Sequence, residues 1–301
     1  MTVSGFTLVR NGTQFDYPYR ESIRSLLPLV DELVINVGRG SDDTLAQVRA
    51  LAATEPKIVL FESDWQLENE AKKRGGFILS EQTNLALERC TGDWCVYLQA
   101  DEVLHEADYP AIRQALAEAQ NRPDIEGLLF NYHHFYGSYD VVQRTRSAYR
   151  REVRVIRRAS GARSVGDAQS FRKPAGEKLR VVRVNAAIYH YGWVRTPEAM
   201  REKTFFMDQL YHGTATEAAQ AAGVPHTGQN YRYKRFWGLH RFRGSHPSAM
   251  HERIAKKGWH WDLKASPLMW EAKDLKKIAS DLVENLTGWR PFEYRSYKIT
   301  K

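Results

Sequence analysis

Short apolar runs alternate with helical patterns along the first sixty residues. Runs rich in β-branched and aromatic residues predict three strands, at residues 6–10, 33–37 and 58–61. Apolar positions three or four residues apart predict two helices between them, one that stops at Pro28 and one that begins at Ser41-Asp42-Asp43 and ends before Pro56. This β-α-β-α-β alternation requires right-handed crossovers and therefore predicts a mostly parallel sheet.

A further apolar run, residues 94–99, ends in two adjacent carboxylates, Asp101 and Glu102. The run is typical of a central strand that is covered on both faces. In open α/β sheets, ligands bind outside the carboxyl ends of such strands. Oxygen ligands at this place suit Mg²⁺ or Mn²⁺, which commonly hold phosphate-bearing substrates. From spacing alone, an equally good interpretation is that the two acids cap the helix that starts near Ala107.

The rest of the chain divides into two predicted regions, 1–213 and 214–301, with a soft boundary at residues 214–229. In the first region we predict further helices and strands, listed in chain order: helix 77–90, helix 107–121, strand 127–132, strand 153–156, strand 186–191 and helix 197–212. The charged residues 64–76 are interpreted either as a solvated loop or as a lid over a phosphate-bearing ligand. The second region is predicted to be mainly helical, and its many aromatic residues either shape an acceptor site or form ordinary core.

Composition adds that the chain is globular. It has 301 residues, of which 43% are hydrophobic, enough for a sizeable core. We find no apolar run of 18 residues, and the first ten residues become polar too early for a secretory signal, so we expect a soluble cytoplasmic protein. Cys90 and Cys95 are the only cysteines, and we expect two buried free thiols.

The charge indicates an anionic partner. The net charge is +8, and between residues 141 and 183 thirteen Lys or Arg residues stand against three acids. Nucleotide phosphate, nucleic acid and an anionic membrane surface all fit such a balance.

Several motifs together resemble a family 2 glycosyltransferase with the GT-A fold, over roughly residues 5–210. They are Arg10-Asn11 after the first strand, Asp42-Asp43 after the second, the helix with Gln82-Thr83-Asn84, and Gly92-Asp93-Trp94 leading to Gln99-Ala100-Asp101-Glu102. The resemblance implies an α/β fold with a GT-A type, mostly parallel central sheet flanked by helices. It also implies a nucleotide-sugar donor bound across the carboxyl ends of the first four strands.

In that family an Asp-any-Asp motif holds the donor diphosphate through a divalent cation. Here the motif is Gln99-Ala100-Asp101, so the resemblance implies that Asp101 binds Mn²⁺ or Mg²⁺, while Gln99 and Ala100 contact the donor. His190 resembles the late strand-end histidine that completes the metal site in some members of the fold. Lys203, in the helix that follows, is a candidate to reach the diphosphate.

The remaining donor and catalytic residues follow from the same resemblance. Arg10, Asn11 and Gln82 are predicted to border the donor, and Asp42 and Asp43 either bind the nucleoside or are plain helix caps. An inverting transferase needs a carboxylate that takes the proton of the acceptor hydroxyl. Residues 164–169 fall where the family places this base, so Asp167 is the candidate, with Asp140 as second choice.

The sequence thus predicts an inverting, metal-dependent transfer of a sugar to a saccharide or lipid-linked acceptor, as in polysaccharide biosynthesis. A lipid-linked acceptor and the basic tract would bring the protein to an anionic membrane surface. One alternative is a nucleotidyltransferase, although residues 11–14 are a poor version of its phosphate loop. The other is a nucleic-acid-binding protein that stacks bases on Phe135, Tyr136, Tyr139 and Tyr149. We expect no nucleic-acid partner.

Overall fold

The computed structural model describes residues 1–69, 72, 74–213, 231–270, 272, 274–290 and 293–300. The predicted boundary at 214–229 lies outside these residues. In the described part of the chain, no helix is both long and apolar enough to cross a membrane.

The first hundred residues form the parallel half of a large sheet. Its strands lie in the order β3-β2-β1-β4, and each neighbouring pair is parallel. The elements are β1 (Val3–Val9), α1 (Tyr19–Leu26), β2 (Glu32–Gly38), α2 (Thr44–Thr54), β3 (Ile58–Ser63), α3 (Phe77–Leu87) and β4 (Trp94–Tyr97). The predicted alternation of strands and helices is therefore confirmed.

Both faces of the parallel half are covered. Alternate residues of β1 point to opposite faces: Val3 and Val9 pack with Ile23 of α1, whereas Phe6 packs with Ile78 of α3. All seven residues of β1 are buried. Each buried aliphatic or aromatic side chain of this kind contributes about 1.5–3 kcal/mol, which explains why these strands read as continuous apolar runs.

The second half of the sheet mixes parallel and antiparallel pairs. Its elements are β5 (Glu102–Leu104), α4 (Tyr109–Gln120), β6 (Gly127–Tyr136), β7 (Ser138–Gln143), β8 (Arg151–Arg157), the separate hairpin β9 (Arg163–Val165) and β10 (Ser170–Arg172), β11 (Leu179–Trp193) and α5 (Pro197–His212). β8 lies antiparallel between β4 and β6, and β11 is parallel to β6. β5 pairs with β11 so that Glu102 lies opposite His190, which brings β11 beside the end of β4. The fold class is α/β, as predicted.

The described C-terminal residues add β12 (Leu239–Arg241), α6 (His251–Ala255), α7 (Asp274–Thr287) and β13 (Tyr297–Ile299). Two of these elements extend the sheet: β12 pairs with β7, and β13 pairs with β11. Short 3-10 turns join several elements, at Leu27–Leu29, Glu106–Asp108, Arg158–Ser160, Pro174–Gly176 and Ser248–Met250.

The predicted ends of three strands, β4, β6 and β11, differ from the observed ones. The strand expected at 94–99 ends at Tyr97, because residues 99–102 form a tight turn in which Glu102 N–H donates to the Gln99 carbonyl (3.0 Å). Glu102 therefore begins the next strand and caps no helix. β11 is also longer than predicted, because the exposed positions of its first half are polar or basic, and β6 continues to Tyr136 through residues that are buried or half-buried.

Candidate active site

A cavity of about 390 Å³ opens at the carboxyl ends of β1 and β4, with α5 along one side. This is where an open parallel sheet binds its ligands. Seven predicted site residues line the cavity: Arg10, Gln99, Ala100, Asp101, Asp167, His190 and Lys203. Four do not: Asn11, Asp42, Asp43 and Gln82.

Asp101 lies at the centre of a buried charged cluster. Its Oδ2 accepts a hydrogen bond from Lys203 Nζ (3.1 Å) and lies 3.9 Å from Arg195 Nη2. Lys203 also donates to the Gly192 carbonyl (2.8 Å), so the lysine bridges the turn after β4 and the end of β11. Arg195 is fully buried and is anchored by the Phe15 carbonyl, which accepts from its Nη1 (2.6 Å). One carboxylate thus meets two basic side chains, and the cluster keeps an excess of positive charge.

Burial and charge act in opposite directions on these groups. Burial alone would raise the pKa of Asp101, but the neighbouring positive charges, Lys203 above all, hold that pKa well below its usual range. Burial lowers the pKa of Lys203 to about 8, with the charge of Arg195 adding to the shift and Asp101 opposing it. At neutral pH both groups are therefore charged.

The second Asp101 oxygen faces His190. Asp101 Oδ1 lies 3.8 Å from His190 Nε2, too far for a hydrogen bond. Neighbouring ligands of one Mg²⁺, each about 2.1 Å from the ion, lie about 3.0 Å apart, so a cation held by this oxygen and this nitrogen would draw them closer together. Among the described residues no group of three His, Cys, Asp or Glu forms a metal cage. A cation held here would therefore need substrate oxygens or water as further ligands.

Glu102, the next residue, is shielded from the cavity. Arg154 donates to both of its carboxylate oxygens through Nε and Nη2 (2.8 Å each), and neither side chain is exposed. Tyr132 Oη and Gln99 N–H donate the remaining two bonds (2.9 and 3.1 Å). Glu102 thus has a structural role and fixes the turn that carries Asp101.

Asp167 lies on a strained turn on the cavity wall. Its Oδ2 accepts from Tyr211 Oη (2.9 Å), and its Oδ1 accepts from Gln169 N–H (3.3 Å). The next residue, Ala168, has φ +63°, a conformation that costs a residue with a Cβ about 1 kcal/mol or more. Gln99 Nε2 donates to the Ala168 carbonyl (3.4 Å), so the turn with Asp167 is tied to the turn with Asp101.

An aromatic and basic group of side chains completes the cavity. The guanidinium of Arg10 lies 5.4 Å from the ring centre of Phe206 and 5.9 Å from that of Trp65. Arg10 Nε donates to the Arg39 carbonyl (2.9 Å), which fixes the direction of the side chain. Trp65, from the charged segment 64–76, is buried, so this part of the segment is not a solvated loop.

Asn11 and the two aspartates after β2 organise the backbone around the cavity. Asn11 has φ +50° and accepts from Ser41 N–H (3.0 Å). Asp42 accepts from the N–H groups of Thr13 and Gln14 (2.9 Å each) and caps α2 through Thr44 N–H (3.0 Å). The interpretation of Asp42 as a cap is therefore the one that the contacts support.

Asp43 and Gln82 also bond within the protein. Asp43 accepts from Gln47 Nε2 (2.7 Å). Gln82 is buried under β2, and its Oε1 accepts from Asn36 Nδ2 (3.0 Å) and Ser63 Oγ (2.6 Å). Gln82 lies outside the cavity because a polar network in the core satisfies its amide.

Some basic residues of the tract 141–183 are paired with acids, most of which come from distant parts of the chain. Ion pairs join Arg150 to Glu284 and Glu293, Arg154 to Glu102, Arg163 to Glu88, Lys173 to Glu126 and Glu177, and Arg180 to Glu126. These pairs reduce the local excess of positive charge without removing it. Three of the four rings expected to stack bases are buried: Phe135, Tyr136 and Tyr139.

Sequence reasoning missed several residues of the site. Tyr17, Tyr149, Gln169, Trp193 and Phe206 line the cavity, and Arg195 and His134 support it from behind. They come from separate segments that only the tertiary fold brings together. Arg195 carried one weak signal, since it stands five residues after His190 and just beyond the predicted strand 186–191.

No family model matches the chain, and no curated protein matches it by sequence. Similar solved structures include S. aureus TarS 1–349, with 12% identity and a TM-score of 0.37 over 70% of this chain and 65% of that one. TarS 1–349 in complex with UDP-GlcNAc gives 11% and 0.38 over 70% and 66%, and a longer TarS structure gives 13% and 0.38 over 74% and 42%. The chain thus spans less than two thirds of each TarS chain. At this level the likeness carries no argument about function, and membership of glycosyltransferase family 2 stays a prediction.

Proposed function

We propose that the chain is an inverting glycosyltransferase that moves a sugar from a nucleotide-sugar donor to a saccharide or lipid-linked hydroxyl. The observation that carries the proposal is one cavity, at the carboxyl ends of parallel strands, that combines an anion-binding cluster around Lys203 with a separate carboxylate, Asp167. Sugar transfer requires both groups, since a diphosphate must leave while a hydroxyl loses its proton.

In the proposed reaction, the acceptor oxygen attacks the anomeric carbon and its proton passes to the Asp167 carboxylate. The bond between that carbon and the diphosphate oxygen breaks, and the nucleoside diphosphate leaves with the electron pair. Lys203 and Arg10 offer positive charge along the cavity wall to the leaving diphosphate. Because the carboxylate of Asp167 is already bonded to Tyr211 and Gln169 N–H, it is oriented before the acceptor binds.

A divalent cation, which we continue to propose as cofactor, would be held by Asp101 and His190. When bound, it would stabilise the negative charge that develops on the diphosphate.

The nucleotidyltransferase alternative receives less support from the turn after β1. Its phosphate loop needs open backbone N–H groups, but those of Thr13 and Gln14 are bonded to Asp42. Arg10 is the group in this turn that faces the cavity, which fits a nucleoside or a phosphate beside it.

The lipid-linked acceptor and a contact with an anionic membrane remain finer proposals. Flotation with vesicles that contain anionic lipid tests the contact, and no binding at low salt would end it.

The donor is tested by a thermal-shift screen of UDP, GDP, CMP and dTDP sugars, with and without Mn²⁺. We expect one nucleotide class to raise the melting temperature, since a ligand that binds only the folded state stabilises it. If no donor does so, the proposed function is wrong.

The base is tested by Asp167→Asn, which keeps the shape of the side chain but removes its proton-accepting charge. We expect transfer to fall about 100-fold or more while donor affinity, measured by calorimetry, stays the same. Asp140→Asn is the matched control, because Asp140 is an exposed carboxylate on β7 outside the cavity lining. Full activity of Asp167→Asn, or an equal loss in the control, would refute the assignment.

A further inference from the structure

Two buried histidines lie side by side at the floor of the cavity. His134 of β6 and His190 of β11 are paired in the parallel register of the two strands. Their Nδ1 atoms are 2.9 Å apart, and their rings meet edge to face at 5.0 Å. Since two nitrogens form a hydrogen bond only when one carries a hydrogen and the other does not, this contact constrains both tautomers.

The other ring nitrogen of His134 decides which one carries the hydrogen. His134 Nε2 lies 2.8 Å from the Tyr149 carbonyl oxygen, which only accepts, so His134 Nε2 must donate. The ring is buried against those of Tyr132 and Tyr149, and this removal from water disfavours a charged imidazole. His134 is therefore neutral, with a bare Nδ1 that accepts from His190.

The constraint passes to His190. Its Nδ1 carries the hydrogen that His134 accepts, so in the neutral ring Nε2 has none. That nitrogen faces Asp101 Oδ1 at 3.8 Å, while the other carboxylate oxygen is held by Lys203. A nitrogen lone pair and an anionic oxygen thus face each other on the cavity wall, an arrangement that a cation between them stabilises.

We propose that His134 is a positioning residue that locks His190 in the tautomer able to bind a divalent cation together with Asp101. The lock fixes both the ring orientation and the free Nε2 lone pair. Gly192 keeps the space in front of this pair open, since a Cβ there would lie 2.4 Å from His190 Nε2 and 3.2 Å from Asp101 Oδ2. The diphosphate part of the argument rests on the proposed function, whereas the tautomer lock does not.

The charge of the cluster predicts how the cation binds. Lys203 and Arg195 outweigh the single charge of Asp101, so a divalent cation alone meets net repulsion. A diphosphate reverses that balance and adds oxygen ligands. We therefore expect Mn²⁺ to bind more tightly when inorganic diphosphate is present, and diphosphate to bind more tightly with Mn²⁺ by the same factor.

The tautomers can be read directly from long-range ¹H–¹⁵N correlation spectra of the protein labelled at histidine. We expect His190 to carry its hydrogen on Nδ1 and His134 on Nε2, with signals assigned from His190→Gln and His134→Gln. This measurement uses the unmodified protein and needs neither turnover nor an identified donor. A His190 ring that carries its hydrogen on Nε2 would overturn the proposal.

Two substitutions at 134 then separate the lock from simple packing. His134→Phe keeps the aromatic contacts but offers no acceptor, whereas the amide of His134→Gln can accept from His190 and donate to the Tyr149 carbonyl. We expect the affinity for Mn²⁺, titrated with inorganic diphosphate present, to fall about 10–100-fold in the Phe variant and to be largely kept in the Gln variant.

Two outcomes of the titration would contradict the lock. One is unchanged Mn²⁺ affinity in folded His134→Phe, and the other is an equal loss in both variants. An inactive protein with the expected tautomers and Mn²⁺ affinities would refute the sugar transfer and leave the lock standing. An active enzyme with the opposite His190 tautomer would refute the lock alone.

Discussion

Asp101 and Glu102 are adjacent carboxylates with different surroundings. Glu102 is fully buried, and four donors satisfy its two oxygens, among them the guanidinium of Arg154. Asp101 lines the cavity, with one oxygen held by Lys203 and the other turned toward His190. Two like residues in one turn thus have separate tasks.

The difference teaches how a buried charge is used. The charges of Glu102 and Arg154 balance each other, so this pair does not attract a charged ligand and serves to hold the turn 99–102. The cluster around Asp101 has more positive than negative charge and opens to the cavity, so an anion in the cavity would balance it. A buried charge indicates a binding site when its partners do not balance it, rather than when it is merely present.

The largest expected effect on stability comes from breaking the buried Glu102–Arg154 ion pair. Glu102→Leu leaves the Arg154 guanidinium buried without a counter-charge, and we expect the free energy of unfolding to fall by about 3–5 kcal/mol in chemical denaturation. Replacing both residues with apolar ones, Glu102→Leu with Arg154→Met, should recover most of that loss. The control is Glu88→Ala, whose pair with Arg163 is half exposed and should cost less than about 1 kcal/mol. Equal losses in Glu102→Leu and Glu88→Ala would remove the distinction.

The next-largest effect comes from removing the charge of Asp101 from its cluster with Lys203 and Arg195. Asp101→Asn keeps the size of the side chain but removes the charge that orients Lys203 and faces His190. We expect kcat/KM for sugar transfer to fall about 100-fold or more, with a smaller loss of stability than in Glu102→Leu because the cavity admits water. Full activity in the Asn variant would show that Asp101 is structural like its neighbour.

The smallest expected effect is a pH dependence of donor affinity, caused by Lys203 in the cluster around Asp101. Because the pKa of Lys203 is lowered to about 8, the lysine loses its charge, and donor affinity should fall, as pH rises through that value. Stability changes in the opposite direction: between about 8 and the ordinary 10.5 the unfolded chain binds more protons, so this group makes the free energy of unfolding rise with pH. Calorimetric titration of the donor from pH 7 to 10 measures the loss, and in Lys203→Arg the profile should be flat, since arginine keeps its charge. A wild-type affinity that is constant over this range would contradict the prediction.

Much of the parallel half could be predicted from the sequence. Its inner strands β1, β2 and β4 are buried and read as apolar runs, and in the second half of the fold α5 was predicted with its observed bounds of Pro197–His212. The signal was weaker in β11, where Arg180 and Arg183 occupy exposed positions between buried Leu179, Val181 and Val184. Because these arginines were counted as part of the basic tract, the alternation of buried and exposed residues that marks a strand was not recognised there.

The site was less predictable than the fold. The residues that line the cavity follow strand ends, which the sequence can locate, and seven of the proposed residues lie there. Spacing alone did not separate Asp101 from Glu102, and only the resemblance singled out Asp101, because the partner that shields Glu102 is Arg154, 52 residues later. The same holds for His134 and His190, which are 56 residues apart and meet only through strand pairing.

Gly192 shows how differently the fold and the ligand can constrain one position. Its backbone does not require glycine, since its φ is not positive. Any Cβ, however, would occupy the space in front of His190 and Asp101. An alanine at 192 would place its Cβ 2.4 Å from His190 Nε2, so it could be accommodated only if the ring that we propose to bind the cation moved away.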